Sequence, residues 1–147
     1  MGTHAVKAVQ MSRSGGRLCV DEVGYALLDK NAVNADPVAA HAEAVRMATV
    51  NMAVKNSYVV AALPGQNVVI RYPRLPNSAR DDLAGAVQRE AGQNIPYDLE
   101  DVNLDWTDLH DTGEGSDQLK VLLVAAKHES IQARVEILQN AEVPCAV

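Results

Sequence analysis

Arg89-Glu90-Ala91-Gly92-Gln93-Asn94-Ile95-Pro96-Tyr97 is the stretch on which the reading of this chain turns. Ahead of it, between Asn77 and Asn94, the apolar residues Leu83, Ala86, Val87 and Ala91 recur at three- and four-residue spacing, which predicts a helix. Ser78 is a candidate cap for its start, and Asp81 and Asp82 sit where the helix dipole favours negative charge. Pro96 forbids continuation, and the residue before a proline is pushed out of the helical region. Ile95-Pro96-Tyr97 is therefore a sharp corner that offers one aliphatic and one aromatic side chain for packing or for gripping a peptide.

Working outward, Val102 to Leu109 and Leu119 to Ala126 read as two strands joined by a hairpin around Thr112-Gly113-Glu114-Gly115-Ser116. Glu129 to Asn140 reads as a helix with Ile131, Val135 and Leu138 on one face. On the other side, Val68 to Arg74 reads as a strand, placed at a sheet edge because Pro73 cannot donate to a ladder. Tyr58 to Leu63 is a nearly continuous apolar run ended by Pro64-Gly65, the pattern of a strand covered on both faces. Earlier still, Asp36 caps a helix with Pro37 in its first turn, and from Val38 to Met52 the positions Val38, Ala42, Val45, Ala48 or Thr49, and Met52 mark its buried face. Ala5 to Met11 and Leu18 to Ala26 are two strands turning at Ser14-Gly15-Gly16.

The 147 residues are 48% apolar with one Trp, four Tyr and no Phe, so the core is aliphatic and the mixture of Val and Ala suits an α/β packing. A net charge of -6 argues against a nucleic-acid groove or an anionic membrane surface. No apolar run approaches the roughly 20 residues that span a bilayer, and no signal-peptide pattern opens the chain. Cys19 and Cys145 lie far apart without metal spacing, as in a protein of a reducing compartment. Phosphate-loop, nucleophile-elbow, His-Glu-x-x-His and paired-cysteine motifs are absent. His4, His41, His110 and His128 are scattered, and Gly113-Glu114-Gly115 suits a hairpin turn better than a phosphate cradle. The acidic residues Asp98, Glu100, Asp101, Asp105, Asp108, Asp111, Glu114 and Asp117 alternate as a wetted strand face does and miss the calcium-loop pattern. Trp106, on the opposite face, reads as a core or subdomain-contact residue, and Arg71, Arg74 and Arg89 form the local cluster of positive charge.

In order and spacing, Val60 to Gly65, Arg71-Tyr72-Pro73-Arg74-Leu75-Pro76, Arg89-Glu90-Ala91 with Ile95-Pro96-Tyr97, Asn103-Leu104-Asp105 and Val121 to Ala126 resemble the PilM family of actin-like proteins of type IV pilus assembly. Gly2-Thr3-His4-Ala5-Val6-Lys7 looks like the phosphate-loop end and second strand of that family's core. The resemblance implies an α/β fold in which residues 1–64 form a partial actin-like (ribonuclease H-like) half-domain. Residues 65–144 would form an inserted β-α-β-β-α subdomain as in PilM and FtsA, and residues 145–147 the start of a return strand. It also implies that the chain is an N-terminal fragment, since only Met1 precedes Gly2 where the family has a strand ending in aspartate.

For Gly2, Thr3, His4 and Lys7 the resemblance implies a remnant of the loop that meets the phosphates of ATP, with His4 and Ala5 replacing the usual small hydroxyl residues. ATP and magnesium are thus expected of a full-length parent and not of this fragment. For partner binding it implies a cytoplasmic, non-enzymatic adaptor, peripheral to the inner membrane. Such an adaptor would receive the N-terminal peptide of a PilN-type membrane protein and meet other platform and motor components. The residues expected to grip that peptide are Pro64, Gly65, Val69, Arg71, Leu75, Pro76, Ile95 and Tyr97. Alternatives are an ATP-hydrolysing actin-like protein and an FtsA-like cell-division or type II secretion component. Exposed sheet edges add an expectation of self-association.

Overall fold

The computed structural model describes residues 1–109 and 118–145. The chain divides into two units, Met1–Pro64 with Gln132–Val147, and Gly65–Ile131. The hairpin expected around Thr112 to Ser116 lies outside the described residues.

In the first unit, strands β1 (Ala5–Ser14) and β2 (Arg17–Leu27) pair antiparallel, with a register shift between Gln10 and Met11. The turn between them places Gly15 at φ +56° and Gly16 at φ +80°, a left-handed pair that suits the twist of a two-residue hairpin and that side chains disfavour. A short helix, α1 (Lys30–Ala35), follows; the carboxylate of Asp29 caps it, accepting from the amides of Asn31 and Ala32 at 2.7 and 2.9 Å. Sequence periodicity missed α1 because it contributes no buried residue. Asp36 then serves two helices. Its amide donates to Ala32 at the end of α1, and its carboxylate accepts from Ala39 at the start of α2 (Pro37–Ala48).

The face of α2 that meets the hairpin is built from Ala42, Ala44, Val45 and Ala48, all small, so backbone approaches backbone. The approach is closest at Gly24, where an added Cβ would fall onto the carbonyl oxygen of Ala48. Val6 and Ala26 complete this core from the sheet, and Ile137, Leu138, Ala141 and Val143 close it from the end of the chain. Residues from Gln132 onward therefore pack with the first unit, whereas the sequence reading assigned all of 65–144 to the second. The apolar stripe of a helix does not announce which core it enters. Cys145, read as the start of a return strand, lies in no strand.

Tyr58 to Leu63 departs from its reading as a doubly covered strand. Val59 and Ala61 pack on the core while Tyr58 and Val60 are 80% and 74% exposed, and this segment has no ladder partner among the described residues. A continuous apolar run looks the same whether one face or both are covered.

The second unit is a sheet around β6 (Gln118–Lys127). On one side β6 pairs antiparallel with β5 (Val102–Asp108); on the other it pairs with β3 (Val68–Arg71) and β4 (Arg74–Pro76). The single strand expected from Val68 to Arg74 is thus split near Pro73, which has no amide to offer, although its carbonyl still accepts from Val121 at 3.1 Å. Helix α3 (Leu83–Asn94) crosses one face, preceded by a 3-10 turn over Asn77–Asp82. Its cap is Asp82, which accepts from Gly85 at 3.1 Å, and not Ser78, because the 3-10 turn occupies the first residues of the predicted helix. Val87 and Ala91 of α3 pack with Leu75, Ile95 and Val102 on Leu119, Val121, Leu123 and Ala125 of β6. The last helix, α4 (His128–Asn140), starts directly from the end of β6.

Two stability predictions come from this packing. Gly24→Ala should destabilise the first unit by about 1–3 kcal/mol, because the methyl has no room unless α2 shifts away from β2. Ile95→Ala, which empties a site only 7% exposed, should cost about 2–5 kcal/mol. Urea midpoints of both variants against the parent check the pair.

Candidate functional site

Helix α3 ends at Asn94, where the amide of Ile95 donates to the carbonyl of Ala91 at 2.9 Å, and Pro96 stops the ladder there. The corner so made divides its two side chains. Ile95 turns inward to the core, and Tyr97 stays at the surface, 40% exposed. The Nζ of Lys127 lies 4.7 Å from the centre of the Tyr97 ring, and 3.5 Å from a carboxylate oxygen of Glu129. An exposed cation over an aromatic face contributes about 0.5–1 kcal/mol, enough to bias the tyrosine's orientation but not to hold the fold.

Around this pair is an open pocket of about 760 Å³, lined by Gly92 and the corner on one side, by Asp98 and Asp101 below it, and by Lys127, His128 and Glu129 at the junction of β6 and α4. Three carboxylates against one lysine make it an acidic recess with an aromatic wall. That combination suits a segment bringing apolar surface together with amide or cationic donors. Lys127, His128 and Glu129 were missed in the sequence, where they read only as the end of a strand and the start of a helix; the fold brings them to the corner.

The other expected partner residues divide by burial. Leu75 is 6% exposed and Ile95 7%, so both serve the core and neither is a surface anchor. Their apolarity, which suggested contact with a peptide, reflects packing on β6. Val69 is half-buried against the same core, and Arg71 is exposed, its guanidinium donating to the carbonyl of Ile70 at 3.0 Å. Pro76 is exposed at the end of β4, Gly65 is exposed in a 3-10 turn over Gly65–Asn67, and Pro64 is half-buried. One side of β3 pairs with β6 and the other has no strand beside it among the described residues; Ile70 on β3 is 48% exposed, and Tyr72, just past its end, 60%. Trp106, expected in a core or at a subdomain contact, is 37% exposed on β5. Arg89 lies 3.6 Å from Asp82 on the exposed surface.

At the other end of the chain, Gly2, Thr3 and His4 form an exposed turn in which Gly2 donates to Ala5 at 2.9 Å and Thr3 Oγ1 lies 2.8 Å from His4 Nδ1. Lys7 stands further along, exposed on β1 opposite Tyr25. Among the described residues no three His, Cys, Asp or Glu side chains are grouped as metal ligands, and no helix is long and apolar enough to cross a membrane.

Comparison with known proteins agrees with this architecture. A solved structure, the "PilM-PilN type IV pilus biogenesis complex", contains a chain that matches all of this one at 24% identity and a TM-score of 0.79. The present chain spans 44% of that chain's length. The match shows a PilM-like, actin-type fold for the present chain, whose mixed α/β architecture has two sheets. The family described as "Type IV pilus assembly protein PilM" matches residues 1–147. The chain belongs to the PilM family of type IV pilus assembly proteins.

Proposed function

We propose that this chain is a non-enzymatic adaptor of type IV pilus assembly whose second unit takes part in gripping the N-terminal peptide of a PilN-type inner-membrane protein. The observation that carries the reading is the exposed Tyr97 over its acidic recess, in a chain that belongs to the PilM family. A solved PilM-PilN complex with the same fold supports the choice of partner. The unpaired side of β3 adds backbone donors and acceptors, so an extended peptide gains a ladder there and pockets for alternate side chains. In this reading the protein is held at the cytoplasmic face of the inner membrane through its partner, without inserting into the bilayer.

Peptide affinity and melting temperature, measured on the same variants, test it. Tyr97→Ala and Arg71→Glu should each weaken binding of the PilN-type N-terminal peptide about tenfold or more, close to 1.4 kcal/mol, with little change in melting temperature. A fall in melting temperature with unchanged affinity per folded molecule would mean that Tyr97 serves packing alone.

The same reading treats Gly2 to His4 as an exposed turn and Lys7 as a surface lysine, not as a working phosphate loop. Calorimetric titration of the chain with Mg-ATP should accordingly show no micromolar binding, and phosphate release should stay at the buffer rate. Saturable turnover that depends on magnesium would favour the actin-like ATPase reading instead.

A further inference from the structure

Lys127 stands where a lysine is least expected. Leu119, Val121, Leu123 and Ala125 form the inward row of β6, and because side chains alternate along a strand, residue 127 is the next of that row. Its partner across the ladder, Val102, is only 5% exposed in the core. An apolar residue would continue the row. A lysine cannot bury its charge, so its head comes out instead, against the Tyr97 ring at 4.7 Å and the Glu129 carboxylate at 3.5 Å.

Both holds are weak. A charge-assisted hydrogen bond closes to about 2.7–2.9 Å, shorter than the Lys127 to Glu129 separation, and the two side chains are 39% and 77% exposed. The recess around them is unbalanced in charge. Asp98, Asp101 and Glu129 line it against the single ammonium of Lys127, so with His128 neutral two carboxylates are uncompensated. Neither Asp98 nor Asp101 has a side-chain hydrogen bond or ion pair among the described residues. All the lining residues belong to the second unit, Gly65–Ile131. The recess thus already shows an ammonium seated on its aromatic wall, supplied by its own chain and loosely held.

We propose that Lys127 is a displaceable placeholder, and that the recess takes the guanidinium of an arginine from a partner segment. For the identity of that segment we rest on the adaptor reading; the cation chemistry stands on the recess alone. A flat guanidinium would stack on the Tyr97 ring where the ammonium now sits, and its fork of donors would serve the carboxylates of Asp98 and Asp101, which one Nζ leaves without a partner. Lys127 would swing to solvent. The exchange also sets a threshold for entry: a neutral side chain gains nothing by displacing the lysine, and a second lysine only replaces like with like.

The probe is N-acetyl-arginine amide, titrated into the whole chain with the Tyr97 ring and the Lys127 side chain followed by NMR, and N-acetyl-citrulline amide is its neutral isostere. Arginine should move both signals saturably, and citrulline should not. Lys127→Met should tighten arginine binding about two- to fivefold by removing the competitor, and Lys127→Arg should weaken it, with both variants shown to be folded by their melting transitions. Asp98→Asn combined with Asp101→Asn should abolish the preference for arginine over citrulline. Weaker arginine binding by Lys127→Met would mean that the lysine helps to build the site, and would overturn the placeholder; equal binding of arginine and citrulline, or shifts that bypass Tyr97, would overturn the recess. A PilN-type N-terminal peptide that binds the parent and Lys127→Met alike would also overturn the placeholder while leaving the adaptor reading intact. Failure of that peptide to bind at all, with arginine behaving as expected, would support the placeholder and remove the adaptor reading.

Discussion

The second unit depends on one strand. β6 bonds to β5 along one edge and to β3 and β4 along the other, and its inward residues Leu119, Val121, Leu123 and Ala125 are each at most 4% exposed. The buried residues Leu75, Ala86, Val87, Ala91, Ile95 and Val102 form one core cluster with this row. The corner at Pro96 is positioned by the same constraint, because Ile95 is drawn into the row and the rigid proline then leaves Tyr97 at the surface. Lys127 and Glu129 arrive at Tyr97 because they continue the chain from the end of β6. Core and candidate site thus share a framework, and a change that tilts β6 would alter the recess without touching its lining.

Much of this was legible in the sequence, and the parts that were not share a cause. Gly15-Gly16, Asp36-Pro37 and Asn94 to Pro96 stand where the sequence put them, because turns, caps and helix stops are decided by local backbone chemistry. Where the answer lay in distant packing, local signals fell short. The apolar run at Tyr58 to Leu63 could not say how many faces are covered, and the stripe on α4 could not say that Ile137 and Leu138 enter the first core. Ser78 lost the cap to Asp82 because the chain leaving β4 first makes a 3-10 turn over Asn77–Asp82.

The candidate site shows the same division at the level of single residues. The proline corner was visible, yet of its two apolar neighbours only Tyr97 remains available, and burial of Ile95 could not be inferred from the tripeptide alone. Arg71 was read as a potential contact and stands exposed, whereas Leu75, two positions past Pro73, faces the core. Lys127, His128 and Glu129 carry no motif. They acquire meaning only because a strand and a helix meet without a loop between them.

The division of α4 between the two units also bears on biosynthesis. All residues of the second unit, Gly65 to Ile131, are contiguous, so that unit is complete as soon as its last residue leaves the ribosome. The first unit is not. Val6, Ala42, Val45 and Ala48 emerge early but lack Ile137, Leu138, Ala141 and Val143 until the end of the described chain has been made. The portion synthesised first therefore completes its core last, and through that interval Val6, Ala26 and Val45 lack the cover that Ile137 and Leu138 later supply.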